Sequence, residues 1–144
     1  MTEQEKDERV KFVMDRVRLD GAADKFPSEI SGGMQKRVAI GRAISMNPKY
    51  LFCDEPNSGL DPETAIVIDQ LIQELTHEFN MTTIVNTHDM NSVLEIGDHV
   101  IFIKEGQKVW EGTNSEVLGS TNADVEDYVF KSKLFKQVRQ AFRK

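Results

Sequence analysis

Tyr50-Leu51-Phe52-Cys53-Asp54-Glu55-Pro56-Asn57-Ser58-Gly59-Leu60-Asp61-Pro62 decides the fold of this chain. The apolar run Tyr50 to Cys53 stops at two carboxylates. A run this short and this apolar predicts a strand buried on both faces, the habit of parallel sheets. Asp61-Pro62 then predicts a helix start, an N-cap acceptor followed by proline at the first helical position. Asp54 and Glu55 fall at the carboxyl end of the strand, the edge at which α/β sheets bind ligands. Two adjacent acids there are costly to bury, which suggests that a cation or a reaction uses them; the plain alternative is a pair of solvated loop acids.

Periodicity extends the pattern in both directions. Downstream, Ile68, Leu71, Ile72, Leu75 and Phe79 mark a long amphipathic helix. Thr82 to Thr87, rich in β-branched residues, predicts a second buried strand. A short helix over Asp89 to Ile96 and a third strand over Val100 to Ile103 follow. Glu105-Gly106-Gln107 turns the chain toward Lys108-Val109-Trp110, so the sheet is expected to end in a hairpin. Upstream, Val10, Val13, Met14 and Val17 recur at helical spacing over about residues 4–18, and Gly21 and Pro27 punctuate a loop. Ser31 caps a second helix running to about Met46, with Met34, Val38 and Ala39 on one side, and Asn47-Pro48 closes it. Alternating helices and buried strands predict an α/β layered fold with a parallel sheet.

Composition bounds the class. The 144 residues are 39% hydrophobic and 29% charged, ordinary for a soluble globular domain. No apolar stretch is long enough to span a bilayer, and the polar N-terminus is unlike a signal peptide. A single cysteine, Cys53, excludes an internal disulfide and suits a reducing cytoplasm; inside an apolar run it reads as a small buried hydrophobe. The net charge of −6 is segregated: residues 51–130 hold 16 acidic against 2 basic groups, and residues 131–144 hold 6 basic groups and no acid. The acidic middle argues against nonspecific nucleic-acid binding.

Four motifs carry chemistry. Ser31-Gly32-Gly33 opens a helix, where exposed N–H groups and the helix dipole make an anion site; alone, such a start is more often just a cap and turn. Asp54-Glu55, Ser58-Gly59-Leu60-Asp61 and Thr87-His88-Asp89 follow in order. Together they resemble the second half of an ATP-binding-cassette (ABC) ATPase, over about residues 3–118, and Gln35-Lys36-Arg37-Val38-Ala39-Ile40-Gly41-Arg42-Ala43 resembles that family's signature helix. The Gly-x-x-x-x-Gly-Lys phosphate loop of the first half does not occur, and none of the 9 glycines precedes a lysine.

The resemblance implies a partial P-loop NTPase (RecA-like) fold. Residues 1–46 would end the helical subdomain with its signature helix, 47–120 would form the second half of the RecA-like core, and 121–144 a basic helical extension. It further implies ATP and Mg²⁺ as cofactors. Ser31, Gly32, Gly33, Met34, Gln35 and Asp61 would bind the nucleotide, with Ser31 and Gly33 contacting the γ-phosphate held by a partner cassette and Asp61 communicating across the same interface. Asp54 would serve the metal, Glu55 would polarise the attacking water and His88 would contact the γ-phosphate from its own side. Implied partners are a second copy in a homodimer and transmembrane permease subunits, which would place the protein on the cytoplasmic face of a membrane. Met34 departs from the family's glutamine and cannot replace its amide. The Ser-Gly-Gly-Met form is similar to cassettes of the Mla/Mce type, which implies phospholipid transport. Two alternatives stay open: a non-transport ABC ATPase of the DNA-repair or iron–sulfur-assembly kind, and a truncated, non-catalytic binding module.

The remaining candidates are bland. His77 and His99 read as surface or boundary residues and Trp110 as a packing anchor. Phe130, Leu134, Val138 and Phe142 recur every four residues as one helical stripe. That stripe suits docking on its own domain, on a partner cassette's acidic surface or, weakly, on anionic lipid.

Overall fold

The computed structural model describes residues 1–130, in two compact units, one over Met1–His88 and one that begins at Asp89. Phe130 apart, the stripe through Leu134, Val138 and Phe142 lies outside the described residues. Among the described residues no helix is long and apolar enough to cross a membrane.

The first unit opens with α1 (Glu3–Arg16), held at its start by a capping box in which Thr2 and Glu5 satisfy each other's backbone N–H groups. Of its expected stripe Val13 and Val17 are buried, whereas Val10 is exposed. The second helix, α2 (Gly32–Ile44), ends two residues before the expected Met46. Its buried face is Gly33, Ile40, Gly41 and Ile44, which corrects the expected side: Met34 is only partly buried, and Val38 and Ala39 are exposed. Gly41 supplies the reason. A Cβ there would lie 3.2 Å from the side chain of Val13 and 3.3 Å from that of Val17, so the bare backbone lets α1 approach on that face.

Strands β1 (Tyr50–Asp54) and β2 (Thr82–Asn86) pair in parallel, from Tyr50 opposite Thr82 to Asp54 opposite Asn86. The connection between them is α3 (Pro62–Glu78), started by Asp61 and Pro62 as the sequence predicts. Ile68, Leu71, Ile72 and Leu75 of α3 are almost wholly buried and share one core with Val17, Leu19, Ile44, Leu51 and Met81. Cys53 and Val85 pack against this core, which pushes the Cys53 thiol pKa up by desolvation. The expectation of strands buried on both faces fails here. Leu51 is buried, but Tyr50 is 63%, Phe52 72% and Ile84 53% exposed. Among the described residues the sheet has two strands, and its core lies on one side only, so alternate side chains of each strand have no apolar cover.

The second unit runs α4 (Met90–Ile96), β3 (His99–Lys104), β4 (Gln107–Thr113), α5 (Asn114–Gly119) and α6 (Ala123–Val129). The predicted hairpin forms, with Glu105 and Gly106 both at positive φ as a tight two-residue turn requires. It pairs β3 with β4 in an antiparallel sheet of their own rather than at the end of the β1–β2 sheet. Val117, Val125, Val129 and Phe130 form its core, with Leu94, Val100, Phe102, Trp110 and Tyr128 packed around them. Trp110 is a packing anchor, as read from the sequence. A Cβ on Gly112 would come within 2.7 Å of its ring, so glycine there leaves room for the indole.

Candidate active site

The site residues singled out in the sequence all lie in the first unit, in two groups. Ser31 takes an extended backbone and caps α2, its Oγ accepting the Met34 N–H at 3.2 Å. Gly33 is buried where a Cβ would meet Thr64 Cγ2 at 2.6 Å, and a Cβ on Gly32 would meet Leu60 at 3.6 Å. The glycine turn is therefore pressed against the entry of α3. There Asp61 accepts from the Thr64 backbone at 3.0 Å and from the Thr64 hydroxyl at 2.6 Å. Those Thr64 bonds hold the exposed Asp61 carboxyl below its usual pKa range.

Two residues of this group are engaged within the chain itself. The Met34 side chain packs against the core, and Gln35 Nε2 donates to the Pro27 carbonyl at 2.9 Å, fastening the short 3₁₀ turn Pro27–Glu29 ahead of α2. Ser31, Gly32 and the start of α2 present the exposed surface of the motif.

The second group gathers at the carboxyl ends of β1 and β2. Parallel register sets Asp54 beside Asn86, whose Nδ2 donates to the Asp54 carboxylate at 2.7 Å. Glu55 leaves the strand at φ 47°, a left-handed conformation uncommon for glutamate. Its N–H donates to the Asn86 carbonyl at 2.9 Å, and its Oε1 lies 2.7 Å from His88 Nδ1. The His88 side chain is 77% exposed and that of Glu55 32%, so the pair is open to solvent. A carboxylate in hydrogen-bond contact with an imidazole can hold and exchange a proton, and it fixes the ring's orientation.

Sequence reasoning missed three residues of this group. Asn86 had a signal, its place as the last residue of the strand before Thr87-His88. Lys36 reaches across from α2, its Nζ donating to the Glu55 carbonyl at 3.3 Å and to Ser58 Oγ at 3.2 Å. Asn57 is buried, and its amide donates to the equally buried Asp69 of α3 at 3.3 and 3.4 Å. Nothing in local spacing announces these last two contacts.

Asp54 is the residue suited to a divalent cation. Its carboxylate is exposed at a strand end, with a hydrogen-bonding neighbour in Asn86. Mg²⁺ takes one or two protein carboxylates and completes its shell with water and phosphate oxygens. That donor set fits. No cluster of three or more His, Cys, Asp or Glu side chains built to hold a metal alone occurs among the described residues.

Comparison with known proteins agrees with this arrangement. Residues 1–58 match the family described as ABC transporter. Methionine import ATP-binding protein MetN 1 of Pseudomonas putida is 40% identical over 117 residues, 81% of this chain and 35% of its own length. Sulfate/thiosulfate import ATP-binding protein CysA 2 of Agrobacterium fabrum is 39% identical over 117 residues, 81% of this chain and 34% of its own length. The chain thus spans about a third of the length of these curated relatives. Among solved structures, cbiO1 from Clostridium perfringens, part of the ABC transporter complex cbiONQ, superposes with a TM-score of 0.79 at 30% identity. That match covers 100% of this chain and 56% of cbiO1. The ATP-binding cassette MJ0796, solved as a dimer with ADP and Pi, gives 0.68 at 34% identity over 79% of this chain and 49% of its own. With its strand-end acids, its glycine turn and its adjoining histidine in that order and that fold, the chain is similar to the ATP-binding cassettes of ABC transporters.

Proposed function

We propose that these residues are the signature, Walker B, D-loop and switch-histidine part of an ATP-hydrolysing site that works with a phosphate loop supplied from outside them. Glu55 takes the proton of the attacking water, and His88, held at 2.7 Å, keeps that carboxylate aimed and meets the γ-phosphate. Asp54, steadied by Asn86, would hold Mg²⁺, and the ion would supply charge neutralisation to a bound phosphate. Ser31, Gly32 and Gly33 present the N-terminus of α2 to the γ-phosphate of a second copy, with Met34 and Gln35 shaping the turn from behind. Asp61 lies beside that turn, suited to carrying the state of one site to the other. Residues 1–46 act as the end of a helical subdomain, 47–120 as core and 121–144 as an extension.

The observation that carries this reading is the Glu55–His88 contact beside the Asp54–Asn86 pair at the ends of two parallel strands. On it rest the partners: a homodimeric second cassette, as in the MJ0796 dimer, and permease subunits that bring the protein to the cytoplasmic side of a membrane. Import is the direction supported by the names of MetN and CysA, which concern methionine and sulfate or thiosulfate. Phospholipid transport has only Met34 and the run from Asp54 to Pro62 in its favour.

Glu55→Gln in the complete cassette tests the assignment. The amide keeps shape and removes the base, so ATP binding should persist while turnover falls by about 100-fold or more. Hydrolysis near the parental rate would overturn the role of Glu55.

A further inference from the structure

Glu55 holds its left-handed turn because three donors converge on its carbonyl oxygen. The Ser58 N–H donates at 3.2 Å, the Ser58 hydroxyl at 2.9 Å and Lys36 Nζ at 3.3 Å. The first two are local, from three residues along the same loop. Lys36 comes from α2, 19 residues earlier in the chain, and its second bond to Ser58 Oγ ties it to the same turn. Lysine has no acceptor, so both loop oxygens are satisfied by one ammonium group whose stem crosses from helix to loop.

The position of Lys36 gives the contact meaning. It lies on α2 shortly after the Ser31 cap and the Gly32-Gly33 turn, the elements that would meet a nucleotide on a second copy. A helix moves as a unit, so a shift of that turn is delivered to Lys36, and through it to the backbone beneath the Glu55 carboxylate. An αL glutamate persists only where its surroundings over-determine it, and strain of this kind is easily released when one support goes. We infer that Lys36 is a positioning residue: it couples the signature turn to the aim of the Glu55 carboxylate within one chain. The inference rests on the role proposed for Glu55 as base.

The test uses single-turnover and steady-state ATP hydrolysis by the complete cassette, carrying Lys36→Met or Lys36→Arg, each alone and with Glu55→Gln. Lys36→Met should lower kcat by about tenfold, since small misplacement of a catalytic group is costly, with KM for ATP unchanged. Lys36→Arg, whose guanidinium reaches the same oxygens, should recover most of the rate. In the Glu55→Gln background Lys36→Met should add a loss below about twofold, because two residues acting through one group are not additive. Ser58→Ala, which removes the Ser58 hydroxyl from the same network and leaves α2 intact, should mimic Lys36→Met if the latter fails to fold. An equal loss from Lys36→Met in both backgrounds, or none in the parent, overturns the positioning role. Near-parental hydrolysis by Glu55→Gln alone overturns the proposed function itself and this inference with it.

Discussion

Asp54 and Asn86 sit opposite each other at the ends of neighbouring parallel strands, and the Asn86 amide donates to the Asp54 carboxylate at 2.7 Å. Register fixes this pair, since a slip of one residue would set Val85 or Thr87 opposite Asp54 and carry Asn86 to the other face. The asparagine orients the carboxylate and leaves it further lone pairs for a cation.

Asn86→Ala should therefore raise the Mg²⁺ concentration needed for half-maximal ATP hydrolysis by the complete cassette by about tenfold, the scale on which partners of metal ligands act. The strand should survive, because the pairing uses the Asn86 backbone. A Mg²⁺ titration of the variant against the parent reads the effect, and coincident curves would refute it.

Gly33→Ala should destabilise the fold. The added Cβ meets Thr64 Cγ2 at 2.6 Å, and that methyl belongs to a short side chain whose hydroxyl is tied to Asp61. Overpacking of this kind costs about 1–3 kcal/mol. Thr64→Ser removes the offending methyl and keeps the hydroxyl, so the double variant should regain most of the loss. Urea unfolding of the two single variants and the double one decides it.

Asp61 predicts a pH dependence. Its folded pKa is lowered by the Thr64 bonds, so the stability it confers is present above the ordinary carboxylate range and lost as pH falls through its folded value. Asp61→Asn caps a helix without titrating. Parent and variant should differ most at neutral pH and converge below about pH 4. The group is exposed, so the difference should be small and shrink further in salt. A pH-independent gap in unfolding midpoints would rule this out.

Ser31→Arg should abolish hydrolysis in trans while leaving a chain's own phosphate-binding groups intact, because bulk at the N-terminus of α2 blocks approach to a phosphate. Mixed with a phosphate-loop variant, it should rebuild one working site per heterodimer. Proven heterodimers without recovered activity would count against the cross-copy arrangement.

Much of this site could be read from the sequence because its signals are local. Asp61-Pro62 starts α3 through contacts within three residues, and Ser31 caps α2 in the same way. Asp54 and Glu55 declared themselves by ending an apolar run. The contacts of Lys36 with Glu55 and of Asn57 with Asp69 could not be read, since each joins elements whose approach is set by packing. Tyr50 and Phe52 were misjudged for a related reason. An apolar strand residue states what it prefers, but whether it is covered depends on what lies against that face. On α2, Gly41 redirected the buried stripe because a missing side chain admits a neighbour that hydrophobic periodicity does not register.

The left-handed backbone at Glu55 sets stability and activity against each other at a single codon. Glycine is the residue that this conformation prefers, and a screen for heat resistance would reward it there. The same change deletes the carboxylate on which turnover is proposed to depend. Directed evolution toward robustness should therefore be run with selection for hydrolysis at every round, or it will drift toward a sturdier protein that no longer works.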